Sequence, residues 1–239
     1  MSSLARYLGS LLFTAYLFLS VFVFGLTALL AELLPGRQSY RVAVAWAGSV
    51  LCLLETLCRL DYVVEGTEHL DRDNCVVLLK HSSSWETIAL FKIFPRQTWV
   101  MKRELLWAPI LGWVLSLLRP IAIDRKAGRA AVEQIVVQGC ERLEQGYWIM
   151  IFPEGTRVAH GQVKRYGLSG ALLGIESGRP VIPVAHNAGQ YWPRRGWLKR
   201  PGTIRLIIGA PIQTGGREAR ELTDEVQQWI ESTVAAMGR

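Results

Sequence analysis

Residues 76–91 read VVLLKHSSSWETIALF, and the organisation of the chain can be worked outward from them. Val76–Leu79 is a short unbroken apolar run, the pattern of a strand buried on both faces. A serine cluster interrupts it, and a helical pattern starts at Ser84. Ser83, with Glu86 three residues later, has the spacing of a capping box at a helix start. The same grammar recurs downstream. Strands are predicted at Tyr62–Val64, Val76–Leu79, Thr98–Met101, Ile121–Ile123, Trp148–Phe152, Val181–Val184 and Ile204–Ile208. Helices are predicted over Ser84–Ile93, Glu104–Leu118, Arg129–Gln145, Tyr166–Ser177 and Arg217–Met237. Strands alternating with helices of this size imply an α/β domain over residues 61–239, a mostly parallel mixed sheet flanked by helices. In such sheets the loops after the carboxyl ends of the strands hold ligands.

Residues 1–60 have a different composition. Tyr7–Ala31 is an uncharged run, and as a helix it would be about 37 Å long, enough to cross a hydrocarbon core of about 30 Å. A secretory signal has an apolar core of only about 7–15 residues, so a retained anchor is the preferred reading. Glu32, Pro35 and Gly36 close the run, and a second apolar stretch, Val42–Cys58, carries only Glu55. A second span, a re-entrant helix and an interfacial helix all fit it. The expectation is a membrane-anchoring two-helix segment. Arg6, Arg37, Arg41 and Arg59 leave its orientation open.

The composition narrows the function classes. Half of the 239 residues are hydrophobic and nine are Trp, which excludes a disordered chain. Four cysteines without a close-spaced pair exclude a disulfide-stapled scaffold and the common zinc ribbons. His69, His160 and His186 show no metal-ligand spacing, so no metal is expected. A net charge of +7 attracts phosphates, nucleic acid or an anionic bilayer face. No nucleic-acid reader motif occurs, so no nucleic-acid partner is expected.

Two segments carry candidate chemistry. His81 sits where a strand ends and a helix is about to begin, and there it could fold back over the first helical turn to meet Glu86. A carboxylate on one ring nitrogen would fix the tautomer and leave the other nitrogen to take a proton from a hydroxyl. A plain capping box accounts for Glu86 equally well. The second segment, FPEGTR at 152–157, follows an apolar strand. Gly155 permits a tight turn, and Arg157 offers a planar fork that matches a phosphate. Glu154 could orient Arg157 or accept a substrate hydroxyl; a solvated ion pair fits as well. Lys102, Arg103 and Arg125 end neighbouring predicted strands and would converge if those strands are adjacent, unless Arg125 merely pairs with Asp124. The intervening apolar stretch, Leu105 to Leu118 and including Ile110, reads as core or as a surface for an acyl chain or bilayer.

Tyr191–Pro201, YWPRRGWLKRP, is basic and aromatic. Trp192, Arg194, Arg195, Trp197, Lys199 and Arg200 therefore read as a lipid-headgroup contact, with a solvated loop as the alternative.

Together, HSSSWE (81–86), KREL…IDR (102–125), FPEGTR (152–157) and VIPVAHNAG (181–189) closely resemble the four motif blocks of the glycerolipid acyltransferase family. The resemblance is greatest to its lysophosphatidic acid acyltransferases. It implies acyl transfer from acyl-CoA or acyl-carrier protein to the sn-2 hydroxyl of lysophosphatidic acid, giving phosphatidic acid, at the cytoplasmic face of a bacterial inner membrane. No cofactor is implied beyond that co-substrate. His81 would be the base and Glu86 its partner. Glu154, Gly155, Thr156 and Arg157 would bind the glycerophosphate, assisted by Lys102, Arg103 and Arg125. Val181, Ile182 and Pro183 would shape the acyl-donor side. The chain departs from the family pattern at Glu86, where Asp is usual, at Lys80, where Asn is frequent, and at Arg119-Pro120, where small residues are usual. Another lysolipid acceptor, or a silent lipid-binding protein of the same fold, are the rival readings.

Overall fold

A computed structural model describes residues 3–33, 38–109 and 111–238; Pro35, Gly36, Arg37 and Ile110 lie outside the described residues. Seven strands form one sheet: β1 (Leu60–Glu65), β2 (Val76–Leu79), β3 (Gln97–Lys102), β4 (Ile121–Ile123), β5 (Trp148–Ile151), β6 (Val181–His186) and β7 (Gly202–Ile208). Their spatial order is β1-β7-β6-β2-β5-β3-β4. The run from β6 to β4 is parallel throughout, and β7 joins β6 antiparallel. The mostly parallel mixed sheet expected from the alternation is present.

The central strands are apolar on both faces because helices cover both faces. Val77 and Leu79 of β2 enter a core shared with α1 (Ser3–Ala31), α2 (Gln38–Cys58) and α3 (Trp85–Ile93). Val76 and Leu78 enter a second core with α5 (Arg129–Glu144), α6 (Ser169–Ser177) and, beyond the single-turn α7 (Ala188–Tyr191), α8 (Ala219–Met237). The face of α8 in that core is Leu222, Val226, Ile230 and Val234, spaced at helical period.

One predicted helix is broken. Glu104–Leu118 forms a 3₁₀ turn at Arg103–Trp107 and a short helix, α4, at Leu111–Leu117. Pro109 has no amide hydrogen to donate and disfavours the helical conformation at Ala108, so the helix cannot run through. Nor is the stretch uniformly core: Leu105, Trp107 and Trp113 are exposed.

α1 and α2 are each long and apolar enough to cross a membrane. They pair as an antiparallel hairpin, with Tyr16 donating to Ser49 Oγ at 2.8 Å and Trp46 donating to Ser20 Oγ at 3.0 Å. A side chain at Gly9 would come within 2.1 Å of the Leu57 carbonyl oxygen, so glycine permits the close approach. Phe13, Ala47, Val50 and Leu54 sit in the same core as the sheet residues. The opposite face of α1, including Leu8, Leu12, Phe18, Leu19 and Phe22, is exposed.

This packing corrects part of the expected headgroup surface. Trp192 and Lys199 are buried beneath α1. Lys199 Nζ donates to Thr14 Oγ1 at 2.6 Å and to the Trp197 carbonyl at 2.7 Å, between the rings of Phe13 and Trp192. Its backbone N–H donates to Ser10 Oγ at 3.0 Å. Burial pulls its ammonium down to about 8. Both residues fasten the hairpin to the domain, whereas Arg194, Arg195, Trp197 and Arg200 remain exposed.

Candidate active site

Because β6, β2, β5, β3 and β4 are parallel, their carboxyl ends share one edge. Lys80 and His81 follow β2, Lys102 ends β3, Arg125 follows β4, FPEGTR follows β5, and His186 ends β6.

At the end of β2 the chain turns so that His81 Nδ1 lies 2.8 Å from Glu86 Oε1. The same oxygen accepts the amides of Ser82 at 3.1 Å and Ser83 at 3.0 Å, while Ser83 Oγ accepts the Trp85 amide at 3.1 Å. Two amides before the helix and the histidine thus meet on one carboxylate oxygen, but the expected capping box is not closed. The helix cap is Ser84, whose side chain makes no cap hydrogen bond, and Ser83 Oγ takes the Trp85 amide instead of that of Glu86. The Ser82 and Ser83 amides are already engaged on Glu86 and do not face a reacting oxyanion. Phe152 stacks on the His81 ring, with centroids 3.9 Å apart. Glu86 is fully buried. Burial raises its carboxyl, but His186, His81 and the Ser83 amide outweigh it and hold the carboxyl below the ordinary range.

His186, which its spacing in the sequence did not single out, stands on the other side of Glu86. Its Nε2 is 3.8 Å from Glu86 Oε2 and 2.8 Å from the Lys80 carbonyl oxygen, and its Nδ1 accepts the Ala188 amide at 3.2 Å. An accepting Nδ1 makes this the neutral, Nε2–H tautomer. Burial likewise holds the His186 imidazole below its ordinary value.

The FPEGTR turn grips the backbone of His81. Glu154 Oε2 accepts the His81 amide at 2.7 Å, and the Val158 amide donates to the His81 carbonyl at 2.7 Å. Glu154 Oε1 is 2.8 Å from Lys80 Nζ, which is also 2.7 Å from Glu231 Oε1; Tyr166 donates to that oxygen at 2.8 Å. Glu154 is therefore buried in a Lys80–Glu231 network and faces neither Arg157 nor a substrate hydroxyl, contrary to expectation. Gly155 makes the turn at φ +68° and Arg125 donates to its carbonyl.

His81 opens on a cavity of about 240 Å³. Lys102, Arg125 and Arg157 line it beside His81, and Arg157 Nε is buried without a hydrogen-bond partner. Trp99, Met101, Leu105, Leu115 and Leu118 supply apolar walls. A second, apolar cavity of about 110 Å³ lies between α1, α2 and α4 and shares Phe91, Leu115 and Leu118 with the first. Arg103 is absent from both, because it pairs with Asp124 at 3.1 Å. Val181, Ile182 and Pro183 are buried in the middle of the sheet and line neither cavity. The fourth block reaches the site through His186 instead. Among the described residues there is no cluster of side chains able to hold a metal ion.

A basic imidazole backed by a carboxylate, beside cations and an apolar pocket, defines a site for moving an acyl group onto a phosphorylated acceptor, and residues 61–187 match the Acyltransferase family. The chain belongs to that family. A 1-acyl-sn-glycerol-3-phosphate acyltransferase of Pseudomonas aeruginosa is 42% identical over 238 residues, covering 98% of this chain and 93% of its own. The human 1-acyl-sn-glycerol-3-phosphate acyltransferase alpha is 27% identical over 156 residues, covering 64% of this chain and 55% of its own. The crystal structure of the 1-acyl-sn-glycerophosphate (LPA) acyltransferase PlsC from Thermotoga maritima has the same fold, with a TM-score of 0.82, 23% identity, and coverage of 100% of this chain and 98% of that one.

Proposed function

We propose that this acyltransferase moves a fatty acyl group from a thioester donor, acyl-CoA or acyl-carrier protein, to the sn-2 hydroxyl of 1-acyl-glycerol-3-phosphate, forming phosphatidic acid for phospholipid synthesis. The observation that carries this is the ring of His81, held at Nδ1 by Glu86 2.8 Å away, on a cavity that also presents Lys102, Arg125 and Arg157. With Nδ1 so engaged, Nε2 is the nitrogen that takes the proton from the acceptor hydroxyl. The hydroxyl oxygen attacks the thioester carbonyl carbon, the carbon–sulfur bond breaks, and the imidazolium returns its proton to the departing thiolate. No acyl-enzyme forms. The cations bind the acceptor phosphate and so position the hydroxyl. The apolar cavities running toward α1 and α2 accommodate acyl chain, and the exposed face of α1 with Trp107 and Trp113 rests in lipid. The relative of Pseudomonas aeruginosa, named for this acceptor, supports the acceptor assignment. We place the site at the cytoplasmic face of a bacterial inner membrane, where thioester donors are made.

Thiol release from acyl-CoA by the purified full chain in detergent tests the reading. Release that depends on lysophosphatidate, is weak with neutral lysolipids and is lost in His81→Ala is the expected result. Equal release with neutral lysolipids, or full turnover in His81→Ala, overturns it.

A further inference from the structure

A third cavity, of about 690 Å³, lies on the far side of Arg157 from the acyl pocket. One wall is the stretch 156–164 and the other is the turn Pro193–Gly196. Arg157, Lys164, Arg194 and Arg195 line it, and none of its lining residues is acidic. Lys164 Nζ is held by the Glu154 carbonyl at 2.8 Å and, among the described residues, pairs with no carboxylate; Arg194 and Arg195 are exposed. Arg157 lines this cleft and the His81 cavity alike, so the two adjoin at that residue. The cleft wall is tied directly to the base through the Val158 amide on the His81 carbonyl. His160, also in the wall, crowds Gly189 together with Ser82, which is next to His81 in the chain.

The acceptor phosphate needs only the cations already facing the acyl pocket. A second, larger cationic cleft opening beside the same imidazole calls for another polyanion. We propose that it holds the phosphates at the carrier end of the acyl donor, as a nucleotide-bearing thioester of the coenzyme A type would present them, with the thioester reaching past Arg157 to His81. A concave cleft suits a small polyanion; a protein carrier would need a flat or convex basic face. The proposal rests on the thioester donor of the reading above.

The test is the double variant Arg194→Ala/Arg195→Ala of the full chain in detergent, probed with adenosine 3′,5′-bisphosphate, which carries the phosphates and lacks the acyl arm. Calorimetric binding of this probe to the resting protein should weaken at least about tenfold in the variant, the loss expected for one or two charge-assisted hydrogen bonds. The KM for acyl-CoA should rise by a similar factor while the KM for lysophosphatidate holds, and the preference for acyl-CoA over phosphate-free acyl-pantetheine should shrink. Unchanged probe binding overturns the proposal. So does a rise confined to the lysophosphatidate KM, which would assign the cleft to the acceptor. A loss seen only in binding to anionic vesicles would assign it to lipid headgroups, and a rise confined to acyl-carrier protein would assign it to a protein donor; either also overturns it. If no lysolipid is acylated at all, the function fails while the calorimetric arm still decides the cleft.

Discussion

The carboxylate of Glu154 accepts the backbone N–H of His81 at 2.7 Å, so the acidic residue of one motif fixes the main chain of the other. The substrate-facing member of FPEGTR is Arg157, and Glu154 acts from behind the base, anchored by Lys80.

Glu154→Ala should therefore lower kcat with little change in the KM for the phosphorylated acceptor. A displacement of about 1 Å at the base costs about 100-fold in rate. Steady-state kinetics check this; a rise in acceptor KM at constant kcat would return Glu154 to the substrate.

Glu86→Gln removes the negative charge that three donors share on Oε1. General-base catalysis contributes about 10²–10⁴-fold, and a fall in kcat within that range is expected. Thermal stability should fall too, since hydrogen bonds to a charged group are worth about 1.5–3 kcal/mol each. A melting curve beside the kinetics separates the two effects.

The cations divide. Arg157→Ala should raise the KM for the phosphorylated acceptor, because the residue lines the His81 cavity, and also that for acyl-CoA, because it lines the cleft proposed for the donor. Arg103→Ala should leave both within about twofold, because an exposed pair such as Arg103–Asp124 contributes only about 0–1 kcal/mol.

His186 should make the fold sensitive to acid. Its folded-state affinity for protons is depressed, so below its ordinary value of about 6.5 the unfolded chain binds the extra proton and the folded one does not. Stability is then full above that pH and declines as the pH falls through it. Denaturant unfolding between pH 5 and 8 checks this, and His186→Gln should flatten the slope in that window. The Glu86 carboxyl, also depressed, adds its loss at lower pH, around the ordinary carboxylate range.

Lys199→Ala should loosen the hairpin through loss of contacts with Thr14, Phe13 and Trp192. Cation–π contacts alone are worth about 0.5–2 kcal/mol. Faster proteolysis of the link between α1 and the domain, with binding to anionic vesicles unchanged, is the expected result.

The strands, the helix periods and the four motif blocks were legible in the sequence because each depends on neighbours within a few residues. An unbroken apolar run such as Val76–Leu79 has few places to go but the middle of a covered sheet, and HSSSWE specifies its own turn through the Ser83 amide on Glu86 and the Trp85 amide on Ser83 Oγ. The break at Pro109 is likewise local, a residue without an amide hydrogen inside an apolar run. What tertiary structure alone decided are the partnerships across long stretches of chain. His186 reaches Glu86 only because β6 lies beside β2. Glu154 turns inward because the buried ammonium of Lys80 receives it, and that ammonium is held from its other side by Glu231, 151 residues along the chain from Lys80. Lys199 and Trp192 had the composition of a lipid-facing surface but are buried by α1, nearly the whole chain away. Burial and pairing of charge depend on which surfaces the folded chain brings together, and local spacing carries no record of that.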